Sequence, residues 1–100
     1  MNPVSHNAAM QIQADHPSLS GHFPGDPIVP GVIMLERIAD ELRSWRAMRL
    51  ARVIEAKFMA PLLPGQRAEL VLSESGPDRF RFVIALGEQA IARGIIEGKP

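Results

Sequence analysis

The run GHFPGDPIVPGVIMLE, from Gly21 to Glu36, sets an imidazole and a carboxyl, His22 and Glu36, 14 positions apart. Among ordinary side chains histidine titrates nearest neutral pH, so His22 can take a proton as a base. A carboxyl beside apolar side chains can be kept protonated by desolvation, so Glu36 can return one as an acid, directly or through a water. The pair is suited to moving a proton off one atom of a substrate and onto another.

Between them lie prolines at 24, 27 and 30 and glycines at 25 and 31. Proline fixes φ and glycine permits unusual backbone angles, so this loop is expected to follow one defined, non-helical path. A helix can then begin only near Gly31 and run to about Trp45. Leu35, Ile38, Ala39 and Leu42 recur at i, i+3, i+4 and i+7, with Trp45 continuing the stripe, and Glu36 falls on the other side. At about 1.5 Å rise per residue, the Glu36 Cα is roughly 7 Å along the axis from the helix start. The first peptide N–H groups of a helix have no intrahelical partner and attract developing negative charge.

The remaining elements read as strands. Met10 to Ala14 alternates and is expected to form a first strand, followed by a loop carrying His16 and His22, with residues 1 to 7 frayed. Ile54, Ala56 and Phe58 share one side of a second strand, and Pro61 to Gly65 is a turn. Ala68, Leu70 and Leu72 mark a third strand. Ser75-Gly76-Pro77-Asp78 is a turn, after which Phe80, Phe82, Ile84 and Leu86 alternate with Arg79, Arg81, Val83 and Ala85. A last strand runs from about Ala90 to Glu97, past a Gly87-Glu88 turn. One long helix with successive antiparallel strands is an α+β arrangement, in one domain spanning residues 1 to 100.

These residues resemble the signature of the 3-hydroxyacyl-acyl-carrier-protein dehydratases of the hot-dog fold, in which a His opens HFPG, a second PG starts the central helix and a Glu follows. The likeness continues at Ala56-Lys57-Phe58-Met59-Ala60-Pro61-Leu62-Leu63-Pro64-Gly65, similar to a family strand entering an AxFxxPVxPGD turn. It covers the chain from about Asp15 onward. The resemblance implies an antiparallel sheet wrapped around the helix, with His22 and Glu36 as the catalytic pair. It also implies at least a homodimer, in which His22 of one protomer faces Glu36 of the other. After the catalytic Glu the family continues Ala, apolar, Ala, Gln; here Arg37, Ile38, Ala39 and Asp40 follow.

The implied reaction removes water from a (3R)-3-hydroxyacyl thioester, carried on the phosphopantetheine arm of acyl carrier protein, to give the trans-2-enoyl thioester. It needs a base for the C2 proton, an acid for the C3 hydroxyl and donors at the thioester oxygen. His22 and Glu36 fill the first two roles, and the N–H groups of Gly31 and Val32 are candidates for the third. No metal or organic cofactor is required, because the thioester itself acidifies the C2 proton. Asp40, one turn beyond Glu36, is a candidate to keep that carboxyl protonated, since two close carboxylates disfavour each other's ionisation. The counter-reading is that Arg37 or Arg43 neutralises Asp40. Fatty-acid and polyketide- or polyene-type pathways both use this chemistry.

Blander readings stand beside these. His22 could be a structural histidine, and Glu36 an exposed carboxylate favoured by the helix dipole. Met34, Met48 and Met59 could pack a core or line an acyl channel. Arg43, Arg46, Arg49 and Arg52 follow one another at intervals of three, either as a solvated helix end suited to the dipole or as a landing surface for an acidic carrier. A hot-dog thioesterase would cleave the same thioester with a carboxylate and water, and a non-catalytic partner subunit would keep only the fold.

Composition bounds the possibilities. A net charge of zero gives no electrostatic reason to expect nucleic acid. The absence of cysteine excludes a disulfide, a cysteine nucleophile and thiolate-bound zinc, and His6 and His16 lack ligand spacing to His22. A chain of 100 residues without such a staple is expected to gain stability by oligomerising. No apolar run reaches the length of a membrane span, and the first residues lack a basic or apolar leader, so a cytoplasmic location without membrane insertion is expected.

Overall fold

The computed structural model describes residues 5–13 and 28–100. Within them run β1 (Ser5–Met10), α1 (Gly31–Arg46), β2 (Arg49–Phe58), β3 (Ala68–Gly76), β4 (Arg79–Leu86) and β5 (Gln89–Lys99). The strands form one sheet in the order β1-β3-β4-β5-β2, with every neighbouring pair antiparallel. The α+β expectation holds, with the helix running from Gly31 one residue past Trp45. No helix among the described residues is long and apolar enough to cross a membrane.

Alternation along the middle strands creates the surface on which the helix packs. Phe80, Phe82 and Ile84 are buried on β4, matched by Leu70 and Leu72 on β3 and by Ala92 and Ile96 on β5. Completely burying a side chain such as Phe82 contributes roughly 1.5–3 kcal/mol. Gly94 lies opposite Phe82 on β4 and opposite Ala56 on β2. A Cβ there would overlap the Glu55 carbonyl oxygen and stand 2.7 Å from Phe82 Cε2, so only hydrogen leaves room for the ring.

The helix presents Ile33, Met34, Ile38 and Leu42 to this surface, whereas Leu35, Ala39 and Trp45 are half-buried at its rim. The buried stripe is thus rotated from the one expected, towards Met34, Ile38 and Leu42 at i, i+4 and i+8. Glu36, Asp40 and Arg43 lie on the exposed side.

Three strand expectations need correction. The first strand is Ser5–Met10, not Met10 to Ala14, and residues 5 to 7 are ordered in it. Met10 pairs with Ala68, where β3 begins, so the following residues have no β3 partner. They turn instead to the Pro64-Gly65 corner, where the Gly65 N–H donates to the Ile12 carbonyl at 2.8 Å and the Gln11 side chain donates to the Gly65 carbonyl at 3.0 Å. His6 anchors the start of the strand: its Nε2 is 2.8 Å from Glu41 Oε1, and its ring stacks on Trp45 at 5.5 Å.

The second strand starts at Arg49 and shifts register twice against β5, passing Ala51 and Ile54. Each bulge inverts the side-chain alternation, so Ile54 does not simply share a face with Ala56 and Phe58. Lastly, β5 extends from Gln89 to Lys99, beyond both ends of the expected strand.

Candidate active site

The start of α1 is built by Pro30, whose extended backbone (φ −62°, ψ 146°) brings the chain into the helix without a side-chain cap. Its carbonyl accepts from the N–H groups of Ile33 at 3.0 Å and Met34 at 3.4 Å. The N–H groups of Gly31 and Val32 have no hydrogen-bond acceptor among the described residues, and Val32 is 63% exposed. These two donors therefore stand at an accessible, positively polarised helix end.

An apolar concavity of about 480 Å³ opens beside them, walled by Ile28, Pro30, Met34, Phe58, Met59 and Pro61. The Phe58 ring lies directly over Gly31, where a Cβ would stand 2.8 Å from Phe58 Cζ. The glycine that starts the helix thus makes room for a close aromatic approach. Of the methionines considered for an acyl channel, Met34 and Met59 line this concavity, whereas Met48 packs near Gly98. The sequence marks Phe58 only as the aromatic of the AxFxxP likeness; its place over Gly31 becomes visible once β2 lies beside the start of α1.

Glu36 is on the second turn of α1 and is exposed, as is Asp40 one turn later. Apolar cover for the Glu36 carboxyl is not supplied by the described part of its own chain. The two carboxyls make no hydrogen bond with one another among the described residues. Arg37, one candidate to neutralise Asp40, instead donates from Nη2 to the Gln11 carbonyl at 3.2 Å. His22 and His16 lie outside the described residues, so the structure does not bring His22 and Glu36 together or set them apart.

The four arginines considered for carrier contact divide. Arg43 and Arg46 are in the last turn of α1, and Arg49 and Arg52 are on β2. Arg46 Nη2 is 2.6 Å from Glu74 Oε1, and its guanidinium lies 4.2 Å from the centre of the Trp45 ring. Arg52 pairs with Glu97 at 3.2 Å, and Arg79 approaches the same carboxylate at 3.9 Å. Arg43 and Arg49 make no ion pair among the described residues. At 1.5 Å per residue, Arg43 is about 18 Å along α1 from Gly31.

Comparison with known proteins places this geometry in context. A family model described as ApeI-like, ApeI dehydratase, matches residues 2–95. The 3-hydroxyacyl-[acyl-carrier-protein] dehydratase FabZ of Haemophilus influenzae is 38% identical over 73 residues, covering 63% of this chain and 49% of that protein. The chain thus spans about half the length of that relative. Among solved structures, the dehydratase heterocomplex ApeI:P from Xenorhabdus doucetiae superposes with a TM-score of 0.80 at 20% identity, covering 100% of both chains. A 1,4-dihydroxy-2-naphthoyl-CoA thioesterase from Synechocystis gives a TM-score of 0.67 at 16% identity, covering 95% of this chain and 80% of that one. At such identities these likenesses establish the fold, which hosts both dehydration and thioester hydrolysis.

Proposed function

Because the chain belongs to the ApeI-like dehydratase family of the hot-dog fold, we propose that it dehydrates a (3R)-3-hydroxyacyl thioester, carried on acyl carrier protein, to the trans-2-enoyl thioester. The observation that carries this reading is the helix start at Gly31 and Val32, whose N–H groups have no acceptor among the described residues, with Gly31 lining an apolar concavity and Glu36 little more than one turn along. The thioester oxygen would accept from those N–H groups, drawing negative charge off C2 as its proton leaves. His22 takes that C2 proton, the electron pair forms the C2–C3 double bond, and Glu36 protonates the C3 hydroxyl as it departs as water. The apolar concavity receives the acyl chain. The product distinguishes this reading from the thioesterase alternative, since hydrolysis releases a free acid instead of an enoyl thioester.

The site is completed by a second chain. Glu36 is exposed on the protomer, and β2 is an edge strand among the described residues, on which Val53, Ile54 and Phe58 are 37%, 38% and 48% exposed. An edge with free backbone groups and apolar side chains invites pairing with another chain. A partner seated there supplies both the apolar cover over Glu36 and the His22 that faces it. Mixing His22→Ala chains with Glu36→Gln chains tests the arrangement, because hybrid dimers then hold one complete site. Conjugated-enoyl absorbance should grow in the mixture while either variant alone stays inactive. Proven subunit exchange without recovered turnover would reject the shared site.

A further inference from the structure

We propose that the carrier domain delivering the thioester docks through its acidic surface on a cationic rim formed by Lys57, Arg81 and Arg93; this rests on the dehydratase reading above. The three side chains come from adjacent strands and line one concavity of about 440 Å³ on the face of the sheet away from α1, with Val83 and Ile95 between them. Arg93 is directly opposite Lys57 on β2, and Arg81 is opposite Ile95, the next position on the same face of β5. All three are exposed and none forms an ion pair among the described residues; Glu55 is the one acid lining the concavity.

Two features point to an anionic partner. Like charges directly opposite one another across neighbouring strands repel, so the Lys57–Arg93 pair carries a cost that an incoming carboxylate relieves. By contrast Arg46, Arg52 and Arg79 already face the carboxylates of Glu74 and Glu97. The position of the rim is the second feature. Lys57 immediately precedes Phe58, whose ring covers Gly31, so the rim and the helix start occupy opposite faces of the same end of β2. A flexible thioester arm from a carrier seated there has only to round the chain near Met59 to reach the apolar concavity. Arg43, near the far end of α1, is about 18 Å along the helix from Gly31.

The test compares a carrier-borne 3-hydroxyacyl substrate with the same acyl group on free pantetheine, for the parent chain, Lys57→Glu/Arg93→Glu and Arg43→Glu/Arg49→Glu. The Lys57/Arg93 variant should raise KM for the carrier-borne substrate roughly tenfold at low ionic strength, a penalty that shrinks as salt rises. Its kcat/KM on pantetheine thioester should remain within about twofold of the parent, since surface substitutions clear of the site leave packing nearly unchanged. Should charge reversal disturb folding, Lys57→Gln/Arg93→Gln provides the same comparison with a smaller effect. An unchanged KM for the carrier-borne substrate, an equal loss on both substrates, or a loss confined to the Arg43/Arg49 variant would overturn the docking surface. Carrier binding read by fluorescence anisotropy separates the two readings. Salt-sensitive binding that depends on Lys57 and Arg93 without any turnover would leave docking intact and defeat the dehydratase assignment.

Discussion

A Glu36→Gln chain is expected to fold as the parent does and to lose dehydration roughly 10²- to 10⁴-fold, the usual contribution of a positioned acid or base. Glu36 is exposed on α1 and makes no ion pair among the described residues, so the amide should change stability by no more than about 0.5 kcal/mol. Gln keeps the shape and hydrogen-bonding capacity of the side chain but has no proton to give the departing hydroxyl. His22→Ala should cause a loss of the same order, the usual contribution of a positioned base. Circular dichroism together with turnover measures both. Near-parent activity in either folded variant would remove that residue from the mechanism.

Gly94→Ala should instead act on the fold. A methyl group there meets the Glu55 backbone carbonyl on one side and the Phe82 ring on the other. The carbonyl belongs to the adjoining strand and cannot swing aside as a flexible side chain could. The ring fills the centre of the core, so β2 has to separate from β5 or Phe82 has to leave its place. Overpacking in cores costs about 1–3 kcal/mol and occasionally more, and a clash with backbone belongs at the upper end, about 3 kcal/mol. Denaturant unfolding of Gly94→Ala should show a midpoint lowered accordingly, and a parent-like midpoint would contradict the packing described here. Glycine in the middle of a strand reads in sequence as a weakness; here it is the space that Phe82 requires.

Local pattern reveals those elements whose determinants are local. The strict alternation of Phe80, Phe82 and Ile84 identifies β4, and Pro30-Gly31 marks the start of α1, because in each case the cause lies within a few residues. The first strand is misplaced for a non-local reason: where β1 ends depends on Met10 meeting the start of β3, and Gln11 and Ile12 are drawn to the Pro64-Gly65 corner. The bulges at Ala51 and Ile54 depend likewise on the β5 register.

The same division runs through the site. That the Gly31 and Val32 N–H groups lack an intrahelical acceptor follows from any helix that starts after Pro30, and the positions of Glu36 and Asp40 on one side of α1 follow from its period. Phe58 over Gly31, and Lys57 beside Arg93, arise only when β2 pairs with β5 alongside the helix. The arginines at intervals of three look like one surface in sequence. Folding sends Arg46 to Glu74 and Arg52 to Glu97, because the chain changes from helix to strand between them.

In the proposed reaction water leaves a thioester which itself stays intact. Intact-mass spectrometry of acyl carrier protein loaded with a (3R)-3-hydroxyacyl chain, before and after incubation with this protein, measures this directly. Dehydration leaves a carrier lighter by one water and still acylated, with the change absent when Glu36→Gln replaces the parent chain. A deacylated carrier with free hydroxy acid in solution, or a carrier of unchanged mass with the correctly assembled parent protein, would contradict it.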